Sequence, residues 1–216
     1  MGSREYELYR RTSEVYAKNG IKNTTMADMA SKLKISKKTL YKFVNDRPEL
    51  VSNSMTWKLA HDTKIVNDII GKNLNAVAEL YEISNFYCSN LMGIHPSIYL
   101  DLEKYYPNAW NQFTEYKNIF IYNIMFSNMK KGIIEGLYRD DFDVEVIVRL
   151  YTSKVDMVFD PRIFPVEKFK FSEVYLEMVN YHLAGIVSEE GMKEIHHLTE
   201  EVVPRHENEL IAEFAY

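Results

Sequence analysis

Apolar residues recur along this chain with a period near 3.6, which predicts helices from end to end. In the first, from about Arg4 to Lys18, Leu8, Thr12, Val15 and Tyr16 fall at i, i+4, i+7 and i+8 and share one face. Asn19-Gly20 ends it, because Gly20 is free to take the left-handed conformation of a helix C-cap. Thr25 then reads as an N-cap, with Asp28 three residues on in a capping box, and Met26, Met29, Ala30 and Leu33 form one apolar face. Lys34-Ile35-Ser36 makes a turn, and Ser36 caps a third helix whose Leu40 and Val44 point inward. Asp46 caps a fourth, with Pro48 in its first turn and Glu49 at the third position. Short helices joined by so tight a turn form a helix-turn-helix unit.

The fourth helix runs on to about Ile70 and leaves this head. Further helices are predicted at 74–91, 96–105, 108–135, 143–158 and 170–188, separated at Pro107, at "EGLYRDD" and at "DPRIFP". After Gly191 a weaker stripe of Met192, Ile195, Leu198 and Val202 is interrupted by Pro204. The expected fold is therefore all-α, with a three-helix head at 1–47, a connecting helix at 48–70 and a helical body reaching residue 216.

Charge sharpens this division. Residues 1–50 hold 11 Lys+Arg against 6 Asp+Glu, and residues 51–216 hold 15 against 25, so a +5 head sits on a -10 body within a chain of net charge -5. Such a split points to a polyanion partner for the head alone. The single cysteine, Cys88, excludes an intramolecular disulfide and suits a reducing cytoplasm, the expected location. No signal-peptide pattern and no apolar run of membrane-spanning length occurs, so no membrane partner is expected.

A helix that reads DNA must offer polar side chains to base edges while its neighbours hold phosphates. Lys37, Lys38 and Lys42 have the reach and charge for phosphate or guanine, Thr39 offers a hydroxyl and a methyl, and Tyr41 offers a hydroxyl on a rigid ring. Thr25 and Ser36, at helix starts, add hydroxyls beside free backbone N–H groups, and Arg47 adds a charge at the next helix start. A solvated basic helix in an unrelated bundle would have the same composition. The order of residues separates the two. "Gly20-x-x-x-Thr24-Thr25-x-x-x-Met29-Ala30" followed by "Ile35-Ser36-Lys37-Lys38-Thr39-Leu40-Tyr41-Lys42-Phe43-Val44-x-x-Arg47-x-x-Leu50" resembles the DNA-binding domain of TetR-family transcriptional regulators. Beyond this head the resemblance rests on length, helical pattern and Gly136, Arg139 and Asp141. Lys34 stands where the family usually places Gly, so a left-handed residue is expected there; Thr12 and Val44 also depart from the pattern.

The resemblance implies a homodimeric repressor, released from a palindromic double-stranded DNA operator by a small-molecule effector held among the middle helices. Most body aromatics are expected to be core. Phe86, Tyr87, Trp110, Phe113, Tyr116 and Phe120 are the candidates for lining an effector pocket, which would suit an apolar or aromatic molecule. The 170–188 helix is apolar on most sides and so calls for burial all round. A second subunit is expected to supply it, through Tyr175, Met178, Val179, His182 and Ile186 together with Ile147, Tyr151 and Val155. Glu194, His197 and Glu201 have metal-pair spacing on a charged tail where histidines are usually solvated, and no metal or cofactor is assigned. No phosphate-binding or nucleophile motif occurs, so catalysis is not expected. A helical small-molecule carrier without a DNA-binding role is the competing reading.

Overall fold

The computed structural model describes residues 2–202. Helix α1 (Ser3–Asn19) is followed by α2 (Met26–Leu33), α3 (Lys37–Leu40) and the long α4 (Arg47–Ile70). The body continues with α5 (Ala76–Leu91), α6 (Ile98–Tyr105), α7 (Pro107–Tyr116), a π-helical turn (Lys117–Ile121), α8 (Tyr122–Ile134), α9 (Val144–Val158), α10 (Phe171–Ile186) and α11 (Glu189–Val202). The predicted all-α fold is what forms, and among the described residues the only strand-like feature is a lone Tyr138–Val187 bridge.

Local chemistry sets most boundaries. The Asp28 N–H donates to Thr25 Oγ1 at 3.1 Å, while the Thr25 N–H donates to Asp28 Oδ2 at 3.0 Å, closing the expected capping box. Ser36, Asp46, Asn75 and Asp143 accept in the same way from Thr39, Glu49, Ala78 and Val146. Lys34 does adopt the left-handed conformation, at φ 59° and ψ 40°, a cost of about 1 kcal/mol for a residue with a Cβ. It lets the Ile35 N–H reach the Ala30 carbonyl and turn the chain sharply into α3.

Three departures from expectation have physical causes. Helix α3 is a single α turn, continued by three-residue hydrogen bonds from Lys42 to Thr39 and from Phe43 to Leu40, and Val44 is buried at its end without being helical. Gly20 has positive φ, as expected, but its ψ of 154° is extended rather than left-handed helical. A Cβ there would also lie 2.9 Å from Ser97 Oγ and 3.0 Å from His95 Nδ1, so glycine is required both for its dihedrals and for close approach. The expected 108–135 helix is continuous but carries the π turn, whose extra residue rotates everything after it. The tail stripe docks as α11: Ile195 is buried, and Met192 and Leu198 pack against the same core. The Val202 side chain and Pro204 lie outside the described residues.

Two large cores result. Met29, Leu40 and Leu50 centre the head, and that cluster runs on through Val51 and Trp57 into Leu102, Tyr106 and Ala109 of α6 and α7. Leu80, Met129, Val148 and Val179 centre the body, where α5 packs against α8, α10 and α11. Within the body, the Tyr138 hydroxyl donates to the Ala76 carbonyl at 3.1 Å or to Asn128 Oδ1 at 3.0 Å, and the Asn128 amide donates to Glu79 at 2.9 Å. Gly132 makes room for this ring, because a Cβ there would fall on it. Gly132→Ala should therefore overpack the site and lower unfolding free energy by about 1–3 kcal/mol, measured by urea titration followed by circular dichroism.

Candidate functional site

The residues assigned to DNA contact are presented unevenly. Ser36, Lys37, Lys38, Tyr41 and Lys42 are exposed and Thr39 is half-buried, so six candidates lie within seven consecutive residues. Ser36 Oγ and Thr39 Oγ1 share a hydrogen bond of 2.8 Å, which holds both hydroxyls at the start of α3. The Lys37 ammonium lies 5.8 Å from the centroid of the Tyr41 ring, and no ion pair engages Lys37, Lys38 or Lys42 among the described residues. Three cations without counterions beside an exposed tyrosine make a surface ready for a polyanion. Thr25 is exposed at the start of α2.

Arg47 is different, and here the expectation is corrected. Its guanidinium donates to the Ile21 carbonyl and stacks 5.8 Å over the Tyr106 ring, with the Tyr16 hydroxyl beside it. Turned inward, it ties the α1–α2 loop to the α6–α7 junction rather than meeting a phosphate. Neighbouring bonds serve the same joint: Asp101 accepts from the Lys22 N–H at 2.9 Å and from Ser97 Oγ at 2.9 Å, and the His95 N–H donates to the Ala17 carbonyl at 2.6 Å.

Behind this joint lies a cavity of about 400 Å³, walled by α1, α4, α5, α6, α7, α9 and α10. Tyr87, Phe113 and Tyr116 line it, as expected. Phe86 and Phe120 do not: they pack around Val66, Ile69 and Ile83, and Trp110 joins the head cluster, edge-on to Tyr99 at 4.9 Å. The π turn explains Phe120. On a regular helix it would follow Phe113 and Tyr116 into the cavity, but the added residue puts Ile121 there instead.

The residues expected at a dimer interface are also reassigned. Tyr151, Val155 and Tyr175 face the cavity; Met178, Val179, His182 and Ile186 are buried within the single chain, and Ile147 is packed partly against the same core. The apolar faces of α10 are covered by α5 and α9, so no second subunit is needed to bury them. What these helices leave exposed is Val146, Leu150 and Met157 on α9 and Tyr181 on α10, beside the small residues Ala184 and Gly185.

Sequence reasoning passed over the cavity's charged members. Asp62, 5% exposed, receives the Lys58 ammonium at 2.6 Å on both carboxylate oxygens. Burial pushes its pKa up, and the Lys58 ammonium opposes that shift. His61 stacks on Trp57 at 5.0 Å. The Tyr87 and Tyr116 hydroxyls share a 2.8 Å hydrogen bond, and burial raises both pKa values, that of Tyr116 to about 12. Burial likewise raises Tyr151 to about 12. The cavity is thus walled by aromatic rings with neutral hydroxyls and one buried carboxylate. His182 is held neutral by burial, which lowers its pKa to about 4. No cluster of metal-ligating residues occurs among the described residues, and Glu201 of the predicted His197 pair has no described side chain. Among the described residues, no helix is long and apolar enough to cross a membrane.

Arg47→Ala should lower unfolding free energy by about 1–3 kcal/mol, because it strands a part-buried carbonyl and empties the space over Tyr106. Lys38→Ala should leave stability within about 0.5 kcal/mol, and thermal melts of the two variants distinguish a joint from a surface charge.

No protein-family model matches the chain. The HTH-type transcriptional regulator YvaF of Bacillus subtilis strain 168 is 23% identical over 170 residues, which cover 77% of this chain and 87% of that protein. Among solved structures, a TetR-family transcriptional regulator from Cytophaga hutchinsonii superposes with a TM-score of 0.64 at 14% identity, covering 86% of this chain and 96% of the other. The regulator FadR from Bacillus subtilis, solved with stearoyl-CoA, gives 0.63 at 16% identity over 83% and 97%. A transcriptional regulator from Saccharomonospora viridis, solved with choline, gives 0.67 at 11% identity over 88% and 100%. The fold is that of TetR-type regulators, with an N-terminal helix-turn-helix and a helical body.

Proposed function

We propose that this chain is a cytoplasmic DNA-binding transcriptional regulator of the TetR type, a homodimeric repressor released from a palindromic operator by a small molecule. One observation carries the reading: the cavity is walled in part by Tyr16 and Ala17 of α1 and by Ser54 and Lys58 of α4, so anything bound there touches the helices that carry the basic turn. Two structural neighbours hold a small molecule, stearoyl-CoA in one and choline in the other, which supports the cavity as an effector site. The DNA surface is Thr25 and the turn from Ser36 to Lys42, without Arg47. No catalytic role is assigned to any residue.

Linkage sets the mechanism. A molecule that binds better when the two heads are wrongly spaced for successive major grooves weakens operator binding by that difference in affinity and no more. The heads must present their turns about 34–36 Å apart. The exposed strip of Val146, Leu150, Met157 and Tyr181 is the face on which a second copy fits, and its small neighbours Ala184 and Gly185 let two helices approach closely.

Tyr41→Ala and Lys42→Ala should each weaken binding to an operator selected from a randomised duplex pool by about tenfold or more while leaving the melting temperature unchanged. Lys42→Ala should also reduce the slope of log affinity against log salt by about 1. Wild-type affinity in both variants would overturn the assignment of the turn. Leu150→Glu should convert the dimer to a monomer in analytical ultracentrifugation and abolish cooperative operator binding, since it places a charge at the centre of the strip.

A further inference from the structure

Besides its tyrosines, the cavity wall carries four ionisable side chains: Glu14, Lys58, His61 and Asp62. Glu14 is exposed on α1 and already bonded to Arg10 at 2.6 Å. The Lys58–Asp62 pair is the charge that faces inward, and its two members are not equally fixed. The Asp62 side chain is 8% exposed, on a short stem set in the buried face of α4. The Lys58 side chain is 31% exposed, on a long stem one helical turn away. Among the described residues, Lys58 is the only hydrogen-bond donor that reaches the Asp62 carboxylate. A lysine of this kind can swing its ammonium into water once another cation takes its place on the carboxylate, whereas the aspartate cannot follow. The exchangeable partner is therefore the cation.

Resting on the reading of the cavity as an effector site, we infer that its effector is a small organic cation with an apolar body, whose charged head takes the place of the Lys58 ammonium on Asp62. The surroundings select the same charge. Trp57, Tyr87, Tyr116 and Tyr175 line the cavity, and aromatic faces attract cations, most strongly where water is excluded. The Tyr87 and Tyr116 hydroxyls, bonded to each other at 2.8 Å, line the same cavity as Asp62. An anionic head would instead compete with a carboxylate that cannot leave, for the one ammonium in the wall. A neutral head could at most donate a hydrogen bond to Asp62 and, in displacing Lys58, would leave its charge without a counterion. The volume of about 400 Å³ accommodates an apolar body of drug-like size.

Three probes with one chain and different heads test this: n-decyltrimethylammonium, n-decanol and n-decanoate, each below its micelle-forming concentration. Binding is read by calorimetry and by intrinsic tryptophan fluorescence, to which Trp57 in the cavity wall and Trp110 against Tyr99 and Phe113 both contribute. The cation should bind about tenfold or more tighter than the alcohol, with the carboxylate weakest. Asp62→Asn should collapse the preference for cation over alcohol to about one, and Lys58→Met, which removes the competing ammonium, should tighten the cation. Should Asp62→Asn fail to fold, Lys58→Met carries the test alone, and weaker cation binding by it overturns the inference. Equal binding of the three probes, or tightest binding of decanoate, also overturns it while leaving the effector cavity standing. Binding of none of them overturns the effector cavity as well.

Discussion

A part-buried arginine holds the head of this protein to its body. The guanidinium of Arg47 begins α4 yet points away from solvent, donating to the Ile21 carbonyl and lying on the Tyr106 face. A charge taken out of water is tolerated only while its partners stay in place, and losing one of them costs far more than the bond itself contributes. Those partners come from the α1–α2 loop and from the start of α7. The Lys22–Asp101 and Ala17–His95 hydrogen bonds join the end of α1 and the α1–α2 loop to α6 and the loop before it, and Gly20 admits His95 and Ser97 to van der Waals contact. The head therefore does not hang from α4 alone. It shares a core with α6 and α7, and any rotation of those helices must carry it along or break a set of buried polar contacts together. Joints of this kind have discrete arrangements rather than a continuous range.

This arrangement shortens the route from the cavity to the proposed DNA surface. Ile21, whose carbonyl accepts from the Arg47 guanidinium, itself lines the cavity along with Tyr16, so a bound molecule would meet the joint directly. The basic turn is itself kept stiff by small means: the capped start at Ser36, the left-handed Lys34, and Leu40 buried completely beneath it. A one-turn helix would not persist in water by itself. Here it is fixed by its surroundings, and among the described residues its lysines enter no ion pair.

Much of this could be read from sequence because it depends on local chemistry. Caps at Thr25, Ser36 and Asp46, the break at Pro107 and the unusual Lys34 all act within a few residues, and apart from the shortened α3 the elements lie within about two residues of where the periodicity puts them. The basic turn was legible for the same reason. The failures all concern which face meets which neighbour. A π turn cannot be seen in a 3.6-residue pattern, and it moved Phe120 off the cavity and Ile121 onto it. Arg47 satisfied every local criterion for a phosphate contact, but its direction is set by Tyr106, almost sixty residues away. Asp62 did leave a trace: it is an acidic residue on the buried periodicity of α4 that passes through Ser54, Trp57, Val66 and Ile69. A carboxylate in such a position needs a partner or a purpose.

Helix α10 shows how far amphipathicity alone can be pressed. Apolar residues on most of its sides require burial, and periodicity cannot distinguish burial in its own chain from burial in another. The single chain covers every side except the strip of Glu173, Glu177, Tyr181, Ala184 and Gly185. Helix α9 divides in the same manner: Tyr151 and Val155 face the cavity, and Leu150 and Met157 face outward. In the proposed dimer, a small molecule and a second subunit would thus press on opposite faces of one helix, only about 10 Å across. On that proposal, filling the cavity would alter the surface offered to the partner as well as the joint at Arg47. Both changes would act on the spacing of the two heads, the quantity the proposed two-part operator would measure.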